Sequence, residues 1–467
     1  MSSNSTSKEF DYIFELVNIP KLIKKDVILK FLQENNITFK DIKSFELDSD
    51  FINYQIITET PIEDNILKEL QKKTINYLKF QAFKINSYDG SLILPTPEPN
   101  SIIKYDVDYH KLIYMEYAKK IGEDFIVYTN NAFLEKQRNL FSYFIQKIGT
   151  NILQGKSIMN VSLPIFIFDK RTLLELWVWQ NAYCDEFLKK AAQATNPVER
   201  IKYTTTFALT KLHLTVSQQK PFNPILGETF QCKIGDSMIY LEQTSHHPPR
   251  SHFYVVGKDY KLYGYNEPEA SAGANSISVC SKGKLYVEFS DGDKHEIYYP
   301  PMLLGGTVMG NRTIDFTGTL EVIDEKNDLF CIVNINPDER GMFEKMIKKK
   351  DKFPDYFKGA ISSISKNGRF DCEKQIYSII KNDQYIKGQF EGELSQNIDF
   401  DSKTIWEYNE NNFPKLYRQN SILKSDSCFR EDLFFLIQDN EDLAGRYKHV
   451  LEERQRRDRK LRAEYKK

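Results

Sequence analysis

KPFNPILGETF, residues 220–230, and EQTSHHPP, residues 242–249, stand where a helical sequence gives way to strands. In the first stretch Pro221 and Pro224 fix φ and forbid helix, and Gly227 permits a tight bend before a strand begins. Such a loop holds Lys220 and Asn223 at the rim of the sheet that follows. Taken alone it reads equally well as a rigid helix-to-strand connection. In the second stretch residues 238–243 have strand character, and neighbouring strand residues point to opposite faces. Pro248 and Pro249 break that alternation, so the imidazoles of His246 and His247 can face one ligand. Three chemistries compete there. A metal needs further ligands, and with seven His and no Cys-x-x-Cys pair none is evident. A Ser245–His catalytic pair lacks a Gly-x-Ser-x-Gly elbow and a local partner acid. An anion is the third, because imidazoles beside a doubly charged phosphate tend to protonate and form charge-assisted bonds.

Upstream, Leu140, Phe144, Ile148 and Ile152 recur every four residues and make one apolar helical stripe. Further helices are expected over 173–192 and 198–216. From Thr229 to about Gly392 short β-rich runs alternate with turn residues: 238–243, 252–256, 261–265, 276–280, 284–289, 296–299, 319–323 and 330–334. This hairpin spacing predicts a large antiparallel sheet or barrel. Helix returns from about Leu443 and becomes strongly basic. There Lys448, Glu452 and Arg456, at i, i+4 and i+8, share a face that offers a point cation, an acceptor and a planar fork of donors. By itself this is an ordinary solvated face. The basic run 454–467 is either a solvated tail or a weak membrane-surface contact.

The first 86 residues read as βαββαβ: strands over 12–17, 41–47, 51–57 and 80–85, helices over 22–32 and 62–70. This predicts a small ferredoxin-like α+β module over 1–86. That topology also serves RNA-binding proteins, but no Gly-aromatic run offers a base-stacking surface. A protein-contact or structural role is expected ahead of RNA binding, and no nucleic-acid partner is expected. Residues 87–137 read as a linker with Asp89-Gly90, the run PTPEP at 95–99, and a short helix over 109–121. The main domain is expected over 138–467.

Composition narrows the class. The 467 residues are 41% hydrophobic and 28% charged, with 32 Phe and 27 Tyr, as suits a globular chain rich in strands. The net charge of -1 supplies no global attraction to nucleic acid or anionic membrane. Cys184, Cys232, Cys280, Cys331, Cys372 and Cys428 are scattered, as expected of a reduced, cytosolic chain. No secretory signal core is present, and no apolar run nears the roughly 20 residues a membrane helix needs.

KPFNPILGETF followed by EQTSHHPP closely resembles the oxysterol-binding protein family, whose hallmark is EQ-x-SHHPP. The resemblance covers roughly residues 138–460, and the two motifs in this order are highly specific. It implies a large, incomplete antiparallel β-barrel around an apolar lipid tunnel, closed by an N-terminal lid. The lid corresponds to residues 140–155, with Leu140, Phe144, Ile148 and Ile152. A covered tunnel keeps a lipid's apolar body from water, worth about 25 cal/mol per Å². The resemblance also implies lipid binding and transfer without catalysis or cofactor. Phosphatidylinositol 4-phosphate is the expected ligand, its 4-phosphate held by His246, His247 and Arg456. Lys220, Asn223, Lys448 and Glu452 are expected to contact the phosphates and inositol ring, with Glu228 structural. LPIFIFDKRTLLE, residues 163–175, is similar to the run of phosphatidylserine-carrying members at Leu163, Pro164, Phe166 and Ile167, and sterol carriers have related sequences there. The second lipid is therefore expected to be sterol or phosphatidylserine, and the protein a peripheral visitor at organelle membranes or contact sites. Two features depart from the family pattern: Thr244 replaces the usual Val, and no Pro-x-Trp-Phe segment follows Arg456.

Overall fold

A computed structural model describes residues 12–20, 25–46, 51–58 and 81–86, short stretches between 66 and 138, and most of 165–465. Omitted within that last span are 216–218, 317, 338–354, 365–385, 410–411 and 419–422. The chain divides into two compact units, Met1–Ser101 and Ile102–Lys467.

In the first unit the sheet order is Asp41–Glu46, Phe51–Thr58, Tyr12–Pro20, Gln81–Asn86, with every neighbour antiparallel. This is the ferredoxin-like strand order. The helix Lys25–Glu34 buries Ile28, Phe31 and Leu32, spaced to share one face, against Leu16, Ile42, Tyr54 and Ile56. It stops at Asn36, whose positive φ of 56° is tolerated by Asn better than by most residues. Apart from Ile66, the second helix expected over 62–70 lies outside the described residues.

The second unit begins with a correction. Ala118–Ile121, the end of the expected helix over 109–121, is a strand paired with Phe125–Tyr128. The run Phe125-Ile-Val-Tyr128 is β-branched and aromatic, and its ladder overrides the helical preference of a short Ala/Lys stretch. Residues 109–117 lie outside the described residues.

The main sheet has 13 antiparallel strands. From one end the order is Lys403–Glu407, Asn397–Phe400, Gly388–Glu393, Tyr356–Ser363, Leu329–Ile335, Gly318–Asp324 and Lys294–Tyr298. It continues with Leu285–Phe289, Tyr260–Asn266, Pro249–Gly257, Ser237–His246, Thr229–Ile234 and Leu416–Arg418. The two end strands do not pair with each other, so the sheet is an incomplete barrel. It runs past the expected limit near Gly392, because Asn397–Phe400 and Lys403–Glu407 extend one end and Leu416–Arg418 pairs with Thr229–Ile234 at the other.

Alternation decides which side chains meet the core. Phe230, Cys232 and Ile234 point in, as do Ile239 and Leu241, Phe253 and Val255, and Leu285, Val287 and Phe289. Three helices pack against these residues: Leu173–Gln180, Cys184–Gln193 and Pro197–Leu214. Trp177 stacks on Phe253, ring centres 4.0 Å apart. The single helix expected over 173–192 breaks at Asn181, whose Nδ2 donates to Trp177 O at 2.6 Å. Pro197–Leu214 starts on an Asn196 cap with Pro197 in the first turn and is buried nearly all round. Its buried threonines survive there by donating to helix carbonyls, Thr206 to Lys202 O at 2.9 Å and Thr210 to Phe207 O at 2.7 Å.

Candidate functional site

The loop after Lys220 is held from three sides. Lys220–Phe222 pairs in parallel with Phe168–Thr172. Gly227, at φ 84°, donates its N–H to Gln243 O at 2.8 Å, and Gln243 N donates to Glu228 O at 2.9 Å. A side chain at 227 would strain that left-handed turn. The third hold is a buried ion cluster. The Glu228 carboxylate accepts from Ile225 N at 2.9 Å, Ser427 Oγ at 2.6 Å and Arg430 Nη1 at 2.8 Å. Arg430 also donates to Asn223 O at 2.8 Å and to Asp432 Oδ2 at 2.7 Å. Burial pushes the Glu228 carboxyl up, while Arg430 and Ser427 pull it back. Glu228 is thus structural, and Asn223 is positioned through its own carbonyl.

The paired histidines end one strand of a hairpin. Ser237–His246 pairs with Pro249–Gly257 up to His246 opposite Pro249, with an irregularity between Gln243 and Ser245. Gln243 points inward and donates Nε2 to Ser245 O at 2.8 Å, which fixes that irregularity. The His247–Pro248 bond is cis. The two imidazoles lie side by side, centres 4.5 Å apart. His247 is exposed, whereas His246 is partly buried and its Nδ1 has no hydrogen-bond partner. Burial pushes His246 down to about 4, helped by His247, Arg459 and Arg456 and opposed by Glu452. Burial and then Arg459 lower His247 as well.

The remaining groups come from the helix Glu441–Tyr465. Tyr447 stacks on Phe435, ring centres 5.2 Å apart, and seats its start. Lys448 Nζ lies 2.5 Å from Glu452 Oε1, and Arg456 Nη2 lies 3.5 Å from Glu452 Oε2. Lys448 Nζ is 5.4 Å and Lys220 Nζ 5.8 Å from the centre of the same ring, Phe168. Burial and then Lys448 push the Lys220 ammonium down to about 8, against Glu452. Lys220, His246, His247, Lys448, Glu452 and Arg456 therefore act on one another electrostatically. The sequence reading missed Arg459, although its place three residues beyond Arg456 marks the same helix face. It also missed Arg430.

The lid residues Leu140, Phe144, Ile148 and Ile152 lie outside the described residues, as do Leu163 and Pro164. Phe166 falls in the short turn Ile165–Ile167, which packs on the C-terminal helix, and Ile167 is buried. Ser245 makes no hydrogen bond to a histidine among the described residues. One buried group, Asp293, His295 and Asp324, brings three potential metal-ligand atoms within 4.8 Å of one another. Its carboxylates are already engaged. Asp293 Oδ2 accepts from Arg200 Nη1 at 2.8 Å and Asn327 Nδ2 at 3.0 Å, and Asp324 Oδ2 accepts from Asn327 at 2.8 Å. A metal would have to displace these donors beside a guanidinium, so the set is a buried ion network. No helix among the described residues is long and apolar enough to cross a membrane.

Residues 148–467 match the oxysterol-binding protein family. Oxysterol-binding protein 9 of Dictyostelium discoideum is 33% identical over 339 residues, 71% of this chain and 78% of that protein. Human oxysterol-binding protein-related protein 8 is 27% identical over 256 residues, 52% of this chain but only 27% of that longer protein. The fold is similar to the Osh3 ORD in complex with PI(4)P from Saccharomyces cerevisiae. That match has TM-score 0.54 and 22% identity over 68% of this chain and 84% of that one. It is also similar to the Osh1 ORD domain in complex with cholesterol, with TM-score 0.56 and 20% identity over 76% of this chain and 88% of that one.

Proposed function

The chain belongs to the oxysterol-binding protein family, and from that premise we propose that it binds phosphatidylinositol 4-phosphate and exchanges it between membranes for a second lipid, sterol or phosphatidylserine. The observation that carries this reading is a cationic patch that its own acids compensate only in part. Arg456 and Arg459 act on the histidine pair, Lys220 and Lys448 act on each other beside Glu452, and Glu452 and Glu453 are the two acids that answer these four cations. His246 Nδ1 adds a polar atom without a partner. A phosphate monoester supplies what is missing, namely negative charge and several acceptors.

In this reading His246, His247 and Arg456 hold the 4-phosphate. Burial first, and the neighbouring cations second, hold both imidazoles below their ordinary range. An arriving phosphate reverses that balance, and the histidines become charged donors. Lys220 and Lys448 meet the remaining phosphate oxygens, and Glu452 orients Lys448 and Arg456 and accepts from the inositol ring. Asn223 lines the same rim. The second lipid lies with its apolar body under the stripe Leu140, Phe144, Ile148 and Ile152 and near Leu163, Pro164, Phe166 and Ile167. The protein works from the cytosol as a peripheral visitor to membranes.

Transfer of phosphatidylinositol 4-phosphate between liposomes tests this. The wild type is expected to move the lipid, and His246→Ala with His247→Ala to slow it more than tenfold, since each lost charge-assisted bond is worth about 1.5–3 kcal/mol. Unchanged transfer in the double variant would sink the reading. A lipid sensor is the second reading, favoured by the separate folded N-terminal unit. Tight binding without movement would select it.

A further inference from the structure

Lys211 stands apart from this patch, and the reading above gives it no task. It lies on the helix Pro197–Leu214, whose neighbouring residues Phe207, Ala208 and Leu214 are buried. Its Nζ stands 4.5 Å from the centre of the Tyr299 ring and 5.3 Å from that of Trp177. Among the described residues its ammonium has no hydrogen bond and no carboxylate partner. Burial alone pushes its ammonium down to about 7. The aromatic faces attract a cation weakly and accept no strong hydrogen bond.

Tyr299 has the complementary problem. It continues the inward alternation of His295 and Ile297 one residue beyond the strand Lys294–Tyr298. Its hydroxyl is buried without a hydrogen-bond partner, and burial pushes the phenol far up, so it stays a donor. A half-buried ammonium therefore stands over the face of a phenol whose hydroxyl is buried, and among the described residues neither meets an acceptor. Buried polar groups are normally satisfied, and an unmet pair of donors marks a place where a partner is missing.

We propose that Lys211 and Tyr299 form an interior site for the carboxylate of an acidic amphiphile, a fatty acid or similar lipid acid, whose apolar body lies among the surrounding aromatic and aliphatic side chains. The proposal rests on the lipid-binding reading and extends it to a second polar subsite. A hydroxyl would satisfy one donor and leave the ammonium uncompensated. A carboxylate has two oxygens, one for Nζ and one for the phenol, and its charge answers the lysine.

Binding of cis-parinaric acid and of its methyl ester, followed by their fluorescence at pH 7, tests this. The wild type is expected to prefer the acid by about tenfold, the worth of one charge-assisted bond. Lys211→Met is expected to bind acid and ester alike, and Tyr299→Phe to lose about a third to half of the preference on a logarithmic scale. Thermal melts check folding, and Lys211→Met is expected to melt no lower than wild type because it removes a half-buried amine that has no carboxylate partner among the described residues. Equal binding of acid and ester by the wild type, or a preference retained in Lys211→Met, overturns the carboxylate site and leaves lipid binding standing. Failure of folded wild type to bind either probe overturns it as well. If phosphatidylinositol 4-phosphate transfer is then also absent, the lipid-binding reading falls with it.

Discussion

Two charged clusters meet at the loop after Lys220, and they are built on opposite terms. Around Glu228 every charge is answered. Arg430 spans Glu228 and Asp432 and still donates to Asn223 O, and Ser427 fills a remaining carboxylate position. Around His246 the cations exceed the acids, and a buried imidazole nitrogen has no partner. The first cluster lies beneath the surface and the second opens onto it, with His247 and Arg456 exposed. The difference separates two uses of charge. A closed set holds backbone in place, and an open set with an excess of one sign suits an ion from outside.

The strongest way to break this contrast is Arg430→Met. It strands Glu228 and Asp432 as buried carboxylates, and the expected loss is about 3–5 kcal/mol of unfolding free energy. Urea unfolding measures it. A loss no larger than that of the His246→Ala, His247→Ala pair would mean that the two clusters do not differ as described.

A smaller effect comes from protons. His246 titrates at about 4 in the folded chain against an ordinary 6.5, so the unfolded chain binds protons more readily between these values. Its contribution to stability is fully present above pH 6.5 and is lost as pH falls toward 4. A phosphate bound as proposed would raise the same group, so binding would take up protons. Affinity for phosphatidylinositol 4-phosphate is expected to weaken several-fold from pH 6 to 8 at roughly constant salt, and the double alanine variant to show a flatter profile. Calorimetry in buffers of different ionisation enthalpy reads the proton directly. Absence of uptake would show that the histidines stay neutral against the ligand.

The smallest effect sharpens the boundary between the clusters. Thr244 is exposed and donates to Arg250 O at 3.2 Å, with His252 Nδ1 2.7 Å from its hydroxyl. Thr244→Val restores the residue usual in the family. It is expected to change stability by no more than about 0.5 kcal/mol and to leave lipid transfer unaltered. A marked change in transfer would extend the site along the outer face of this strand.

Much of the architecture was legible because its causes are local. Strands such as Ser237–His246, Pro249–Gly257 and Leu285–Phe289 announce themselves by alternation, Leu329–Ile335 by a continuous apolar run, and Pro221, Pro224 and Gly227 mark the loop without help from distant residues. The candidate site was legible through two motifs and a helical face at i, i+4 and i+8. What the sequence hid depends on partners far along the chain. Nothing near Arg430 points to Glu228, 202 residues away. The three-residue strand Leu416–Arg418 has too few positions to show a period and exists because Thr229–Ile234 offers it an edge. Arg459 was hidden differently, inside a basic run whose members look alike until a neighbour selects one face.

That long separation also orders events as the chain folds. The loop and histidine pair lie between 220 and 249, whereas the residues that complete them begin beyond 425. Closing a loop of about 200 residues costs roughly 2.7 kcal/mol more entropy than closing one of about 10. On entropy grounds the hairpins along the sheet are expected to form before that closure, and the Arg430 anchor among the last contacts. The binding mouth is therefore a late product of folding, assembled only when the two distant segments of the polypeptide meet.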